Sequence, residues 1–299
     1  MQFATTVQLL ISGLALGAVY ALVATGFYIT HLTVNKVNFG QGDFVMAAAF
    51  LLLSTRTAGW PLALGIPAVV AALAAIGWVL ERVAIKPLER RRASPIGAYA
   101  WILTTAGVAF IIQNLAELIY GKSAQYSPPL FSQNRDAVIP VLGINFVAEE
   151  ILVIVTAIAV VAAFYAFMFR SRWGKSISAV AFNPEAAALL GINTRWVKVA
   201  VFVIASVLAG LAGVLIGPLV TVHPHMGLIF TIKALIVAAV GGFSNPVGIL
   251  AGGLLFGVAE AASNYADSNF GDLYPLIAAM FVIALRPSGL FGERSADVR

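Results

Sequence analysis

The sequence contains no cysteine and only three histidines, and just 10% of its residues are charged. Without cysteine there are no disulfides and no thiol chemistry, although the compartment stays open. His31, His223 and His225 form no HExxH pattern, and neither a GxSxG elbow nor a paired intramembrane aspartate occurs. The chain therefore reads as a non-enzyme that needs no metal and no cofactor. His223-Pro224-His225 could hold a metal, with a polar turn at a span end as the competing reading. Trp173-Gly174-Lys175-Ser176 has the tail of a phosphate-binding loop, but Phe169 stands where the first glycine belongs and no strand precedes it. The chain is thus expected to bind no nucleotide, so any ATP-driven work has to come from another subunit.

What fills the sequence instead is apolar: 61% of residues are hydrophobic and the mean hydropathy is +0.94, outside the range of soluble domains. Charge-free windows over 1–35, 57–80, 93–116, 151–169, 199–232 and 234–259 can each supply the roughly 20 apolar residues that cross a hydrocarbon core. The expected architecture is an all-α polytopic membrane bundle of about eight to nine spans. They lie near 7–30, 43–56, 60–82, 95–119, 149–169, 198–220, 228–242, 246–265 and 273–286. Segment 43–56 and the pair within 228–265 could instead be half-helices that enter and leave on one side. The N-terminal segment lacks a basic n-region and a clear cleavage site, so it is expected to stay as the first span.

The isoelectric point near 9.6 does not point to nucleic acid, because the positive charge is segregated along the chain. Five cations fall in 82–92, five in 170–198 and three at the C-terminus (Arg286, Arg294 and Arg299), which places those segments in the cytoplasm. The connection 120–148 carries only Lys122 and Arg135, so it is external, and Ser127, Pro128, Pro129, Asn134 and Pro140 give it the composition of an irregular loop. An outside N-terminus and an inside C-terminus follow.

Between two long spans lies Ala181-Phe-Asn-Pro-Glu-Ala-Ala-Ala-Leu-Leu-Gly-Ile-Asn-Thr-Arg195. Asn183 can cap a helix, Pro184 suits its first position, Glu185 complements its positive end and Gly191 can take the left-handed stop. About two turns from Pro184 to Leu190 are specified, with Ala186, Ala187 and Ala188 leaving room for close docking. Either this is an ordinary connecting helix or it is the stiff cytoplasmic element on which a soluble motor pushes.

Two places interrupt the apolar pattern, Asn35–Asp43 and Gly241–Gly248. Unwound backbone at membrane depth is tolerated only where it faces protein or water, so Asn38, Gln41, Asp43, Ser244 and Asn245 could line a pathway, with helix capping as the alternative. Lys233 and Glu260 are candidates for a buried pair or a gate contact, whereas Glu81 and Glu117 fall near span ends. Glycines recur four apart at Gly13 and Gly17, Gly213 and Gly217, Gly248 and Gly252, and Gly253 and Gly257, a spacing that favours close helix packing.

Five stretches together resemble one family: 13–30, 37–46, 181–217, 233–261 and the terminal Arg286–Gly292. In that order they are similar to the permease subunits of branched-chain amino acid ABC importers, in particular the LivH-like branch. The resemblance implies a single permease domain over 1–299 with a cytoplasmic coupling loop at 171–197, in a bacterial inner membrane. It also implies a LivM-like second permease subunit, two cytoplasmic ABC ATPase subunits and a periplasmic substrate-binding protein. Matched residue by residue, Asn183, Pro184, Glu185, Ala186, Ala187, Ala188, Leu189, Leu190 and Gly191 would form the coupling helix. The rival expectation is a secondary transporter or channel that needs no ATPase.

Overall fold

The computed structural model describes residues 2–89, 97–130, 138–141 and 144–292. Helices α1 (Gln2–Val34), α2 (Gln41–Thr57) and α3 (Leu62–Leu80) come first; α3 runs through a π turn, Glu81–Ile85, into α4 (Lys86–Glu89). Next come α5 (Gly97–Tyr120), α6 (Ala148–Arg170), α7 (Arg172–Phe182), α8 (Pro184–Leu189) and α9 (Thr194–Ile216). Helices α10 (Met226–Gly241), α11 (Pro246–Ala266) and α12 (Leu273–Leu285) complete the bundle. Six of these, α1, α3, α5, α6, α9 and α11, are long and apolar enough to cross a membrane; α2, α10 and α12 are shorter.

Three of these helices begin on asparagine caps. Asn183 Oδ1 accepts from the backbone N–H groups of Glu185 and Ala186, both at 3.0 Å, and Asn193 Oδ1 accepts from Trp196 N–H at 3.3 Å. Asn245 Oδ1 accepts from Val247 N–H at 3.0 Å and Gly248 N–H at 3.2 Å. Each satisfies donors that a helix start leaves without an intrahelical partner.

Helix α9 forms the enclosed centre, with 72% of its apolar window buried, against 17% for the peripheral α5. The most extensive helix pair is α1 with α11, and two of the glycine repeats meet there. A Cβ on Gly13 would lie 2.8 Å from the Gly257 carbonyl oxygen, and one on Gly253 would lie 2.8 Å from that of Gly17. The backbones are therefore in direct contact, and the spacing of four serves packing.

The connection 120–148 contains regular structure that its composition does not announce. Strands β1 (Val138–Val141) and β2 (Ile144–Val147) pair antiparallel, with Val138 opposite Val147 and Val141 opposite Ile144. Gln125 and Val222 exchange backbone hydrogen bonds of 2.8 Å, tying the start of the connection to the α9–α10 turn. Asn134 and Arg135 lie outside the described residues.

At the opposite end, the segment after α12 folds back onto the α10–α11 turn. Leu290 N–H donates to Val240 O at 2.7 Å, and Asn245 Nδ2 donates to Phe291 O at 3.4 Å. Gly242 turns there at φ 89°, and a side chain on it would meet Gly292.

Candidate functional site

Three features could carry function, and they lie at different depths. The first is the basic face around α7 and α8. Helix α8 spans six residues, capped by Asn183 and ended by Gly191 at φ 82°. The resulting short rod has two unlike sides. Ala187 is 2% exposed and packs inward, whereas Leu189 is 90% and Leu190 80% exposed. Glu185, Ala186 and Ala188 are exposed with them. Large apolar side chains held out on a polar face need a covering surface.

Helix α7, which composition alone reads as basic loop, lies beside this rod. Its Gly174, Ile177 and Val180 face inward at helical spacing, and Ser171 Oγ caps it by accepting from Gly174 N–H at 2.9 Å. A cavity of ≈ 410 Å³ opens between α7 and the start of α9, walled by Arg172, Trp173, Gly191, Asn193 and Trp196. Arg82, just beyond α3, lies over the rings of Trp78 at 5.1 Å and Trp196 at 6.0 Å, linking the end of α3 to α9. Glu81 beside it is buried, 4% exposed, because the π turn directs it into the bundle rather than to the interface.

The second feature is the break before α2. Gln41 Nε2 donates to Ala205 O at 2.7 Å, the midpoint of α9, so α2 begins halfway through the bundle and residues 35–40 return from the end of α1 to reach it. At that depth every starting N–H has to be met by protein. Asn38 O accepts from Gln41 N–H at 3.1 Å and Asn38 Oδ1 from Gly40 N–H at 3.0 Å. Thr231 Oγ1 of α10 accepts from Gly42 N–H at 2.9 Å, and Gly40 O accepts from Asp43 N–H at 3.1 Å. Asn38 and Gln41 are thus engaged by backbone, and Asn38 Nδ2 also donates to Gln41 Oε1 at 3.4 Å. Asp43, 1% exposed, accepts instead from Gln113 Nε2 of α5 at 2.7 Å.

Ser244 and Asn245 are not part of that cluster. Asn245 caps α11, and Ser244 lines a cavity of ≈ 830 Å³ with His31, Asn35, Ala181, Pro287 and Ser288. Ala181 belongs to α7, so this cavity opens on the same side as α8.

The third feature is a buried ion pair. Lys233 Nζ of α10 donates to Glu260 Oε1 of α11 at 2.9 Å and to Asp272 Oδ1 at 3.2 Å, and Tyr20 OH of α1 donates to the same Glu260 oxygen at 3.0 Å. Rarity of charge is what makes Lys233 and Glu260 visible in the sequence; Asp272, in a polar connection, carries no such signal. Gln113 could have been found as an amide inside an apolar window. Glu117, at the outer end of α5, pairs with Lys122 at 3.0 Å and His225 Nε2 at 3.5 Å.

Residues 9–285 match the family described as branched-chain amino acid transport system / permease component. The chain is similar to the high-affinity branched-chain amino acid transport system permease protein LivH of Escherichia coli strain K12, with 30% identity covering 99% of this chain and 98% of that protein. It is 29% identical to the permease protein BraD of Pseudomonas aeruginosa, over 97% of each chain. It is also 24% identical to the probable LivH of Methanocaldococcus jannaschii, over 91% of this chain and 88% of that one. No solved structure matches.

Proposed function

The chain belongs to the family of branched-chain amino acid transport system permease components, and from that premise we propose how it works within an ATP-driven importer. It is a multi-pass membrane protein, and the solute is a branched-chain amino acid or a related small polar molecule. Separate ATPase subunits and a binding protein complete the system, and a LivM-like chain forms the second half of the pathway. Residues 1–299 act as one permease domain with a cytoplasmic coupling loop at 171–197. The family match favours this reading over a secondary transporter or channel independent of ATPase.

One observation supports α8 as the coupling helix: a rod fixed at both ends points Leu189 and Leu190, 90% and 80% exposed, away from the bundle. A rod held this way transmits displacement to α7 and α9 instead of absorbing it. The ATPase would have to bind the two permease conformations unequally, since without differential affinity no bias follows. Pathway roles for Asn38, Gln41, Asp43 and Ser244 are part of the proposal, the first three at mid-depth and Ser244 at the cytoplasmic mouth.

The test is uptake of labelled leucine, isoleucine and valine by proteoliposomes holding the full complex and the loaded binding protein. ATP-dependent accumulation that Leu189→Glu abolishes is expected. Accumulation without nucleotide would refute the motor-driven reading, and normal uptake by Leu189→Glu would refute the coupling assignment.

A further inference from the structure

Asp43 is a carboxylate at the depth of the α9 midpoint, and among the described residues no Lys, Arg or His lies within ion-pair distance of it. Lys233, the buried cation of α10, is already engaged by Glu260 and Asp272. The N-terminal end of α2 supplies partial positive charge, which offsets only part of the cost of a carboxylate held away from water. Among the described residues, the one side-chain donor on Asp43 is the neutral amide of Gln113, at 2.7 Å.

Gln113 stands between this carboxylate and the outer face of α5. On that face Asn114 is exposed at membrane depth, its Nδ2 turned back to its own helix at Phe110 O, 2.7 Å away. Two turns earlier, and so on the same face, Gly107 is open, with no atom within 4 Å of where its Cβ would be. Gln113 is itself only half-buried, so it is the cover between Asp43 and an outward face that otherwise carries the exposed Leu103, Phe110 and Ile111.

We propose that Asp43, screened by Gln113, is a membrane-depth recognition site for the ammonium group of an amino acid in transit. Rotation of one side chain, Gln113, uncovers Oδ1, and the arriving ammonium replaces the departing N–H. The carboxylate then exchanges a neutral hydrogen bond for a charge-assisted one, and no buried acceptor is left unmet. Asn38 and Gln41 hold the backbone of the break in place while this happens. The inference rests on the amino-acid reading given above.

Because the chain has no cysteine, Gln113→Cys is its only thiol. In the assembled complex, a cationic methanethiosulfonate is expected to modify that thiol on the order of tenfold faster than an anionic one of similar size, as a focused negative charge would make it. The preference should vanish in the Asp43→Asn/Gln113→Cys double variant. In proteoliposomes, Asp43→Asn should lower leucine uptake about tenfold with the complex intact, because Asn keeps the Gln113 contact and loses only the charge. Equal labelling rates for the two reagents, or unimpaired uptake by Asp43→Asn, would overturn the site. If Asp43→Asn fails to assemble, the labelling ratio of Gln113→Cys decides by itself. If the unmodified complex accumulates no amino acid, the functional reading falls, and the labelling ratio still reports on the charge at Asp43.

Discussion

Lys233 and Glu260 meet at 2.9 Å between α10 and α11, with side chains only 9% and 5% exposed. Removing one partner of such a pair strands a charge, which costs far more than the intact pair contributes. Lys233→Met is therefore expected to destabilise the protein by about 3–5 kcal/mol, and Lys233→Met/Glu260→Met to recover most of that loss. Thermal unfolding of the solubilised complex measures both. A double variant destabilised by the sum of the two single-variant losses would show that the two residues act independently.

Asp272 donates nothing and accepts from the same ammonium at 3.2 Å, yet its side chain is 61% exposed. Solvent screens such a contact, so Asp272→Asn should shift stability by less than about 1 kcal/mol. The same unfolding experiment gives the comparison with Lys233→Met.

The two sides of α8 predict different failures. Leu190→Glu, on the outward side, should leave membrane insertion and thermal stability unchanged while removing stimulation of ATP hydrolysis by the loaded binding protein. Ala187→Glu drives a charge into the surface that α8 docks on, because Ala187 is 2% exposed, so it should lower stability as well. Hydrolysis and unfolding assays on the same preparations separate the two outcomes.

Between α1 and α11, Gly17→Leu inserts a branched side chain where the backbones touch. Overpacking of this kind costs about 1–3 kcal/mol or more, and it should appear as reduced yield and a lower unfolding temperature. Gly107→Ala, which meets open space, should stay within about 0.5 kcal/mol of the parent protein.

Much of this architecture is legible in the sequence because lipid tolerates so few solutions. Windows free of charge became α1, α3, α5, α6, α9 and α11, and the Asn183-Pro184 and Asn245-Pro246 pairs mark the starts of α8 and α11. What stayed hidden depends on tertiary position. Nothing local says that α2 starts at mid-depth; that is set by Gln41 reaching Ala205 on another helix. The inward side of α7 is carried by only Gly174, Ile177 and Val180 among basic neighbours, too faint against a segment that reads as loop. Of the five polar residues expected along a pathway, the structure gathers Asn38, Gln41 and Asp43 and sets Ser244 and Asn245 at the far end. That separation follows from where each break meets its neighbours, which the composition of the breaks does not encode.

The backbone contact of Gly13 with Gly257 joins α1 to α11, a helix translated much later. During synthesis α1 enters the bilayer long before its main neighbour exists, and its bare glycine surface has to wait beside lipid or the insertion machinery. Packing of α1 is thereby postponed until α11 has left the ribosome, and a chain truncated before α11 would present an orphaned α1 to membrane quality control.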